Sequence, residues 1–106
     1  MGAALITGNG KIFVGLCFDL SCGLGCCAEY AAISSMITSG ETKIKQIVAV
    51  DSDGKILPPC GKCRELIYQI NNKNLKTEVV VRKDKSVKLN NLLNYRWEEV
   101  YSRGKV

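Results

Sequence analysis

Residues 26–29, Cys-Cys-Ala-Glu, place a thiol and a carboxylate two positions apart at the start of a run with helical spacing. Adjacent cysteines are poorly suited to a disulfide framework, and a buried core helix has little use for a glutamate in its first turn. A thiolate binds metal ions or acts as a nucleophile, whereas a carboxylate accepts and returns protons. The pair Cys27 and Glu29 therefore indicates chemistry at this position rather than packing.

A second thiol motif follows farther along the chain, as Pro-Cys-Gly-Lys-Cys at residues 59–63. The chain contains no histidine, which removes Ser-His and Cys-His nucleophile pairs and every zinc site that needs imidazole. Because nothing in the sequence indicates export, metal binding or redox chemistry is the expected use of the thiols. The six cysteines are Cys17, Cys22, Cys26, Cys27, Cys60 and Cys63.

Hydrophobic periodicity and turn residues predict the elements that must position these motifs. The predicted strands cover residues 3–7, 11–18, 44–50, 78–82 and 87–89, and the predicted helices cover residues 27–39 and 61–69, with a short helix after residue 90. Residues 19–26 are predicted to form a loop that is rich in small residues. The resulting order, β-β-α-β-α-β-β-α, contains a βαβαβ core and predicts an α/β fold with a parallel or mixed sheet.

Both thiol motifs fall at the starts of predicted helices. In a βαβαβ unit these starts lie at one edge of the sheet, so Cys27 can meet Cys60 and Cys63 there. Positive partial charge at helix N-termini favours thiolates, and three thiolates form a zinc site whose fourth position is open. Glu29 lies too close to Cys27 to be a convenient fourth ligand, but it can face a water in the open position. The expected site is catalytic zinc with a carboxylate for proton transfer.

Three alternatives compete with that interpretation. Cys-Gly-Lys-Cys also fits a thioredoxin-like redox pair, which would leave Cys27 and Glu29 unexplained. A structural zinc site would take Cys26 as its fourth ligand. Glu29 taken alone would be an ordinary first-turn glutamate, favoured by the helix dipole.

Cys-Ala-Glu at residues 27–29, Pro-Cys-x-x-Cys at residues 59–63 and the following Arg64 together resemble the cytidine deaminase superfamily. The most similar branch is the small all-cysteine one, which holds free-nucleoside cytidine deaminases and blasticidin S deaminase. The resemblance implies one domain over residues 1–106, a three-layer α-β-α fold and a mixed five-stranded sheet. It also implies that Cys27, Cys60 and Cys63 bind Zn²⁺, that Glu29 shuttles protons, and that the reaction is hydrolytic deamination of a cytosine nucleoside or related aminopyrimidine.

The resemblance also implies the substrate contacts, with departures from the family pattern. Nucleoside deaminases carry Asn-x-Glu after the second strand, where this chain has Cys-Phe-Asp at residues 17–19. Asp19 can still accept hydrogen bonds from hydroxyls, and an aromatic near the C-terminus often reaches a neighbour's site. The implied substrate-binding residues are Asp19, Cys17, Ala28 and Trp97.

Two further residues are implied to support the thiolates. Tyr30 stands where many members carry an arginine that offsets thiolate charge, so Arg64 and the helix dipoles are expected to do so here. The family's helix before the first strand is expected to be absent, because the chain begins almost at that strand. A deaminase fold kept as an inactive zinc or binding module is the alternative from another class.

Composition limits the partners. The 106 residues include 15 basic and 10 acidic side chains, giving a formal net charge of +5 without a basic stripe interleaved with aromatics. We therefore expect no nucleic acid partner. We also expect no membrane span and no leader, and hence a cytoplasmic protein. The expected partners are a small-molecule nucleoside and further copies of the chain, as a homo-oligomer that is a tetramer or a dimer.

Overall fold

The computed structural model describes residues 1–18 and 25–100, without the side chains of residues 98 and 100. Its strands are β1 (Gly2–Thr7), β2 (Ile12–Leu16), β3 (Ile44–Val50), β4 (Ile56–Leu57), β5 (Glu78–Arg82) and β6 (Lys85–Lys88). Its α-helices are α1 (Ala28–Thr38), α2 (Gly61–Ile70) and α3 (Trp97–Val100), and 3₁₀ turns cover Asn72–Lys76 and Leu89–Asn91. No helix within these residues is long and apolar enough to cross a membrane.

The strands form one mixed sheet in the order β2-β1-β3-β5-β6, with β4 paired to the end of β3. β1 is antiparallel to β2 and β3, whereas β3 and β5 are parallel. Gly10, at φ +83°, turns the chain from β1 into β2. The predicted α/β class with a mixed sheet is confirmed.

β4 is the strand that the sequence pattern did not indicate. Its two residues pair with Ala49 and Val50 at the carboxyl end of β3. A two-residue strand is too short to show a periodicity of its own, and Pro58 follows it directly. β4 brings Leu57 and Pro58 to the sheet edge where the thiol motifs lie.

Close packing sets the position of α1. A Cβ built on Gly15 of β2 would lie 2.4 Å from the backbone nitrogen of Ala32 and 2.6 Å from the carbonyl oxygen of Ala28. Only glycine fits beneath the helix at this point, and the small side chains of α1 allow the approach. The first turn of α1 is therefore held directly against β2.

The main core lies between one face of the sheet and the two long helices. Leu5, Ile47 and Val79 come from the sheet, and they are buried against α1 and α2. The helical members of this cluster are Ala32, Ile33, Met36, Ile67 and Tyr68. Among the described residues, α1 and α2 thus cover the same face of the sheet.

Buried polar side chains tie the end of α2 to the start of β3. Asn74 accepts a hydrogen bond from the backbone nitrogen of Ile44 at 2.9 Å and donates to the carbonyl oxygens of Thr42 and Ile67. The hydroxyl of Thr77 donates to the carbonyl oxygen of Ile44 at 2.6 Å. These bonds satisfy buried backbone groups and fix the crossover that carries α2.

Candidate metal centre and adjoining cavity

Local backbone geometry places two of the three motif cysteines at helix caps. Cys27 is the N-cap of α1 and Cys60 the N-cap of α2, both with extended backbone, while Cys63 lies in the first turn of α2. The Cys27 side chain makes no capping hydrogen bond to its helix. The Cys60 thiol faces the backbone N–H groups of the first turn of α2, which favour its thiolate form.

The structure brings these three thiols together. The sulfur atoms of Cys27, Cys60 and Cys63 all lie within 4.8 Å of one another. Two sulfurs of a tetrahedral zinc site with bonds of about 2.3 Å stand roughly 3.8 Å apart. Three thiolates at this spacing suit a soft divalent cation such as zinc, and they leave a fourth position open.

The three thiols differ in their electrostatic surroundings. A hydrogen bond from the backbone N–H of Cys63 lowers the pKa of the Cys60 thiol, and the N–H of Lys62 acts in the same direction. Burial raises the pKa of the Cys63 thiol, and the Glu29 carboxylate and the other two sulfurs raise it further. Crowded negative charge of this kind is relieved by a bound cation, which compensates all of these groups at once.

Glu29 is the second residue of α1 and is half-buried. Its negative charge raises the pKa of both the Cys60 and the Cys63 thiol. It also lines a cavity of about 270 Å³ together with Cys27 and Cys60. A carboxylate and two thiols of the metal-binding cluster therefore line the same cavity.

The remaining walls of this cavity are mostly apolar. Backbone pairing continues past the end of β2, since the nitrogen of Cys17 donates to the carbonyl oxygen of Met1 at 2.9 Å, and this brings Cys17 to the cavity. The other lining residues are Met1, Cys17, Ala28, Ala49, Leu57 and Pro58. Cys17 and Ala28 had been expected at the substrate. The contributions of Ala49, Leu57 and Pro58 depend on the pairing of β4 with β3, and that of Met1 depends on its pairing with Cys17. None of them had a separate signal in the sequence.

Two larger cavities, of about 390 and 440 Å³, open around Lys43 at the other end of β3. Their linings contain no cysteine, and the larger of the two is lined chiefly by lysines. Chemistry rather than volume therefore identifies the smaller cavity beside the thiols as the candidate site.

A contact between side chains also joins the start of α1 to the start of α2. The ammonium of Lys62 lies over the ring of Tyr30, 5.2 Å from its centroid. Lys62 stands between Cys60 and Cys63 in the sequence, so this contact ties the start of α2 to the start of α1. The contact of Lys62 could not be predicted from the sequence, because its partner lies on another helix.

Arg64 binds backbone carbonyls close to the cluster. Its Nε donates to the carbonyl oxygen of Pro59 at 2.8 Å, and one terminal nitrogen donates to that of Leu92 at 3.3 Å. Pro59 directly precedes Cys60. These bonds let Arg64 position the cysteine loop through its backbone, and direct support of the thiolates by Arg64 stays a prediction.

The other expected site residues have different positions. Asp19 and Cys22 lie outside the described residues. Trp97 begins α3, is 48% exposed and is not among the residues that line the cavity of its own chain. Cys26 is not part of the thiol cluster, and its thiol donates to the carbonyl oxygen of Cys27 at 3.3 Å. This geometry does not favour Cys26 as a fourth metal ligand.

The sequence around this site matches a known protein family. Residues 1–79 match the family model described as the cytidine and deoxycytidylate deaminase zinc-binding region. The matched part includes both thiol motifs and Glu29.

Individual relatives agree with the family match. The chain is 30% identical over 83 residues to a cytidine deaminase of Mycobacterium tuberculosis, covering 77% of this chain and 62% of that protein. It is 36% identical over 76 residues to a blasticidin-S deaminase of Bacillus cereus, covering 63% of this chain and 54% of that protein. The matches thus span about three fifths or less of these two relatives.

A solved structure shows the same fold. The crystal structure of cytidine deaminase from Mycobacterium leprae superposes with a TM-score of 0.78 at 28% identity, covering 87% of this chain and 76% of that one. The similarity therefore includes the arrangement of the elements as well as the motifs.

Proposed function

This chain belongs to the family of the cytidine and deoxycytidylate deaminase zinc-binding region, and on that premise we propose that it hydrolyses the amino group from a free cytosine nucleoside, cytidine or deoxycytidine. Water replaces the exocyclic amino group of the base, so that a C–O bond forms, a C–N bond breaks and ammonia leaves. The observation that carries this proposal is that Glu29, Cys27 and Cys60 line one small cavity, with the sulfur of Cys63 completing the thiol cluster beside it.

Cys27, Cys60 and Cys63 would hold the zinc ion. Bound there, zinc supplies a Lewis acid that makes a water molecule acidic near neutral pH. Two of the three ligands lie at the N-termini of α1 and α2, where positive partial charge stabilises thiolates.

Glu29 moves the proton. Its carboxylate takes the proton that the attacking water loses and returns it to the amino nitrogen of the base, so no net proton is consumed by the enzyme. The first turn of α1 fixes this carboxylate, and the contact between α1 and Gly15 fixes the first turn. Because a glutamine keeps the shape of the side chain but cannot accept that proton, Glu29→Gln separates proton transfer from binding.

The apolar walls of the cavity suit a flat heteroaromatic ring. The residues that line it include Cys17, Ala28, Ala49, Leu57 and Pro58. Few polar groups are present apart from Glu29 and the thiols, so the ring rather than the rest of the substrate is recognised by the described residues. Contacts of Asp19 and Trp97 with the substrate remain part of the proposal without support from this geometry.

A second candidate is deamination of blasticidin S, which also carries an aminopyrimidine. The 36% identity to the blasticidin-S deaminase of Bacillus cereus favours it. Both candidates use the same four residues, and they differ in the group attached to the ring.

Ammonia release from cytidine, deoxycytidine, cytosine and blasticidin S tests both candidates. The zinc-loaded protein is expected to release ammonia from cytidine or deoxycytidine, and protein treated with a chelator is expected to lose this activity. Release from blasticidin S alone would favour the second candidate. No release from any substrate, at about one zinc per chain, would contradict the proposal and leave a zinc-binding module.

Membership of this family also supports a proposal about the cellular setting of the reaction. We place the reaction in nucleoside metabolism, as a step of pyrimidine salvage in the cytoplasm, carried out by a homo-oligomer. Fractionation of cells with an antibody to this chain, together with the mass of the native protein, would test these assignments.

A further inference from the structure

A cavity of about 440 Å³ at the start of β3 is lined mainly by lysine side chains. Ile44 lines this cavity and Ala49 lines the cavity beside the thiols, five residues farther along the strand. The two cavities are therefore roughly 15 Å or more apart. We call the larger one the lysine cavity, and its lining residues are Gly8, Lys43, Ile44, Lys45, Lys73, Asn74 and Lys76.

The lysine cavity concentrates the net charge of the chain. Among the described residues, its lining has four ammonium groups and no carboxylate. The whole chain has 15 basic and 10 acidic side chains, so 11 basic and 10 acidic ones remain when these four lysines are set aside. The rest of the sequence is thus almost neutral, and most of the net charge of +5 belongs to this cavity.

None of the four lysines forms an ion pair within the part of the chain that the structure describes. The two acidic residues closest to them in sequence, Glu41 and Glu78, have other partners. The carboxylate of Glu41 lies 3.2 Å from the ammonium of Lys11, and that of Glu78 accepts a hydrogen bond from the hydroxyl of Ser86 at 3.4 Å. The positive charge of the lysine cavity is therefore left for an anion from solution to compensate.

Buried hydrogen bonds hold the backbone that carries these lysines. Two of the lysines directly precede and follow Ile44, whose backbone nitrogen donates to Asn74 and whose carbonyl oxygen accepts from Thr77. The other two stand next to Asn74 and Thr77 along the chain. Because the same bonds tie both segments together, the two pairs of lysines are placed around the cavity before a ligand arrives, which lowers the cost of binding.

We propose that the lysine cavity binds the polyphosphate group of a small ligand, either a nucleoside triphosphate or a free phosphate chain. One phosphate monoester carries about −1.5 to −2 charges at pH 7, so two or more phosphate groups are needed to match four ammonium groups. Lysine offers phosphate oxygens a compact charge with three rotatable donors. A volume of about 440 Å³ lies in the range of small-molecule sites.

A nucleic acid strand suits this cavity less well. Sites for single strands combine positive charge with aromatic side chains on which the bases stack. The described lining residues of the lysine cavity include no aromatic side chain. We therefore expect a compact polyanion rather than an extended one, and this expectation does not depend on the proposed deaminase activity.

Isothermal titration calorimetry of the zinc-loaded chain tests the proposal with sodium tripolyphosphate, ATP and inorganic phosphate. Tripolyphosphate is expected to bind about 10-fold or more tightly than inorganic phosphate, because it meets more of the lysines. Its affinity should fall several-fold between about 50 mM and about 300 mM salt. Equal affinities for ATP and tripolyphosphate would assign recognition to the phosphate chain alone, whereas tighter binding of ATP would assign it to a nucleotide.

Lys43→Gln combined with Lys73→Gln removes one lysine from each of the two segments. The dissociation constant of tripolyphosphate is expected to rise about 10-fold in this variant. Lys55→Gln combined with Lys83→Gln is the matched control, since both of these lysines are exposed, neither lines the lysine cavity, and the net charge falls by the same amount. The control is expected to keep the native affinity.

A second pair, Lys45→Gln with Lys76→Gln, serves if the first variant fails to fold. Zinc content is compared before and after each titration, so that heat from metal removal is not taken for binding. Absence of tripolyphosphate binding would overturn the proposal, and so would an equal loss of affinity in the cavity variant and the control. Tighter binding of a single-stranded oligonucleotide than of tripolyphosphate would also overturn it. Because binding rather than ammonia release is measured, failure of the deaminase proposal would leave this result unaffected.

Discussion

Gly15 on β2 lies so close to Ala32 on α1 that a Cβ on the glycine would stand 2.4 Å from the backbone nitrogen of the alanine. This approach holds the first turn of α1, with Cys27 and Glu29, against the sheet. The position of the proposed proton shuttle therefore depends on a residue that belongs to no motif.

We expect Gly15→Ala to lower the free energy of unfolding by about 1–3 kcal/mol, because the added methyl group meets backbone that cannot move aside cheaply. Displacement of α1 should also weaken zinc binding. Gly8→Ala is the control, since a Cβ there makes only an ordinary contact, at 3.8 Å from Lys43. Urea unfolding and zinc competition measure both effects, and equal values for the two variants would contradict this account.

The geometry of the thiol cluster predicts which Cys→Ser substitutions lower the amount of zinc bound per chain. Cys27→Ser and Cys63→Ser should each lower the bound zinc well below one ion per chain, since each removes one of three ligands. Cys26→Ser should retain zinc, because Cys26 donates to a backbone carbonyl instead of joining the cluster. Elemental analysis of the purified variants measures this, and loss of zinc from Cys26→Ser would indicate a four-cysteine structural site.

Arg64 is expected to act as a positioning residue for the cysteine loop. Arg64→Gln removes the guanidinium that joins the carbonyls of Pro59 and Leu92, so zinc affinity should fall about 10-fold or more, as for other outer-shell groups. The absorption spectrum of cobalt-substituted protein reports the geometry of the metal ligands. It should therefore change in Arg64→Gln if Arg64 positions the cysteine loop. Arg82→Gln, at an exposed arginine, is the control. An unchanged spectrum and affinity in Arg64→Gln would show that the loop holds its own shape.

Much of the candidate site could be predicted from the sequence, because its residues sit at element starts. Cys27 and the pair at residues 60 and 63 begin the two helices of a βαβαβ arrangement, and that topology alone brings helix starts to one sheet edge. The contact between Lys62 and Tyr30 could not be predicted in the same way, since it depends on the angle between two helices. The role of Gly15 depends likewise on how closely α1 approaches β2.

The face of β2 that carries Ile12, Val14 and Leu16, which are exposed among the described residues, shows a different limit of sequence patterns. Residues 11–18 alternate between two sets of side chains, and both sets contain large apolar members, as in a strand buried on both faces. Periodicity predicted the strand but not that one of its faces would remain exposed. Only the placement of α1 and α2 on the same side of the sheet reveals the surface.

The most direct test of the central claim is the rate of ammonia release by Glu29→Gln, compared with native protein at equal zinc content. Glu78→Gln, at an exposed glutamate, is the matched control. If Glu29 moves the proton, kcat should fall by at least about 10²-fold in Glu29→Gln while Glu78→Gln keeps the native rate. A native rate in Glu29→Gln, with zinc still bound, would contradict the account.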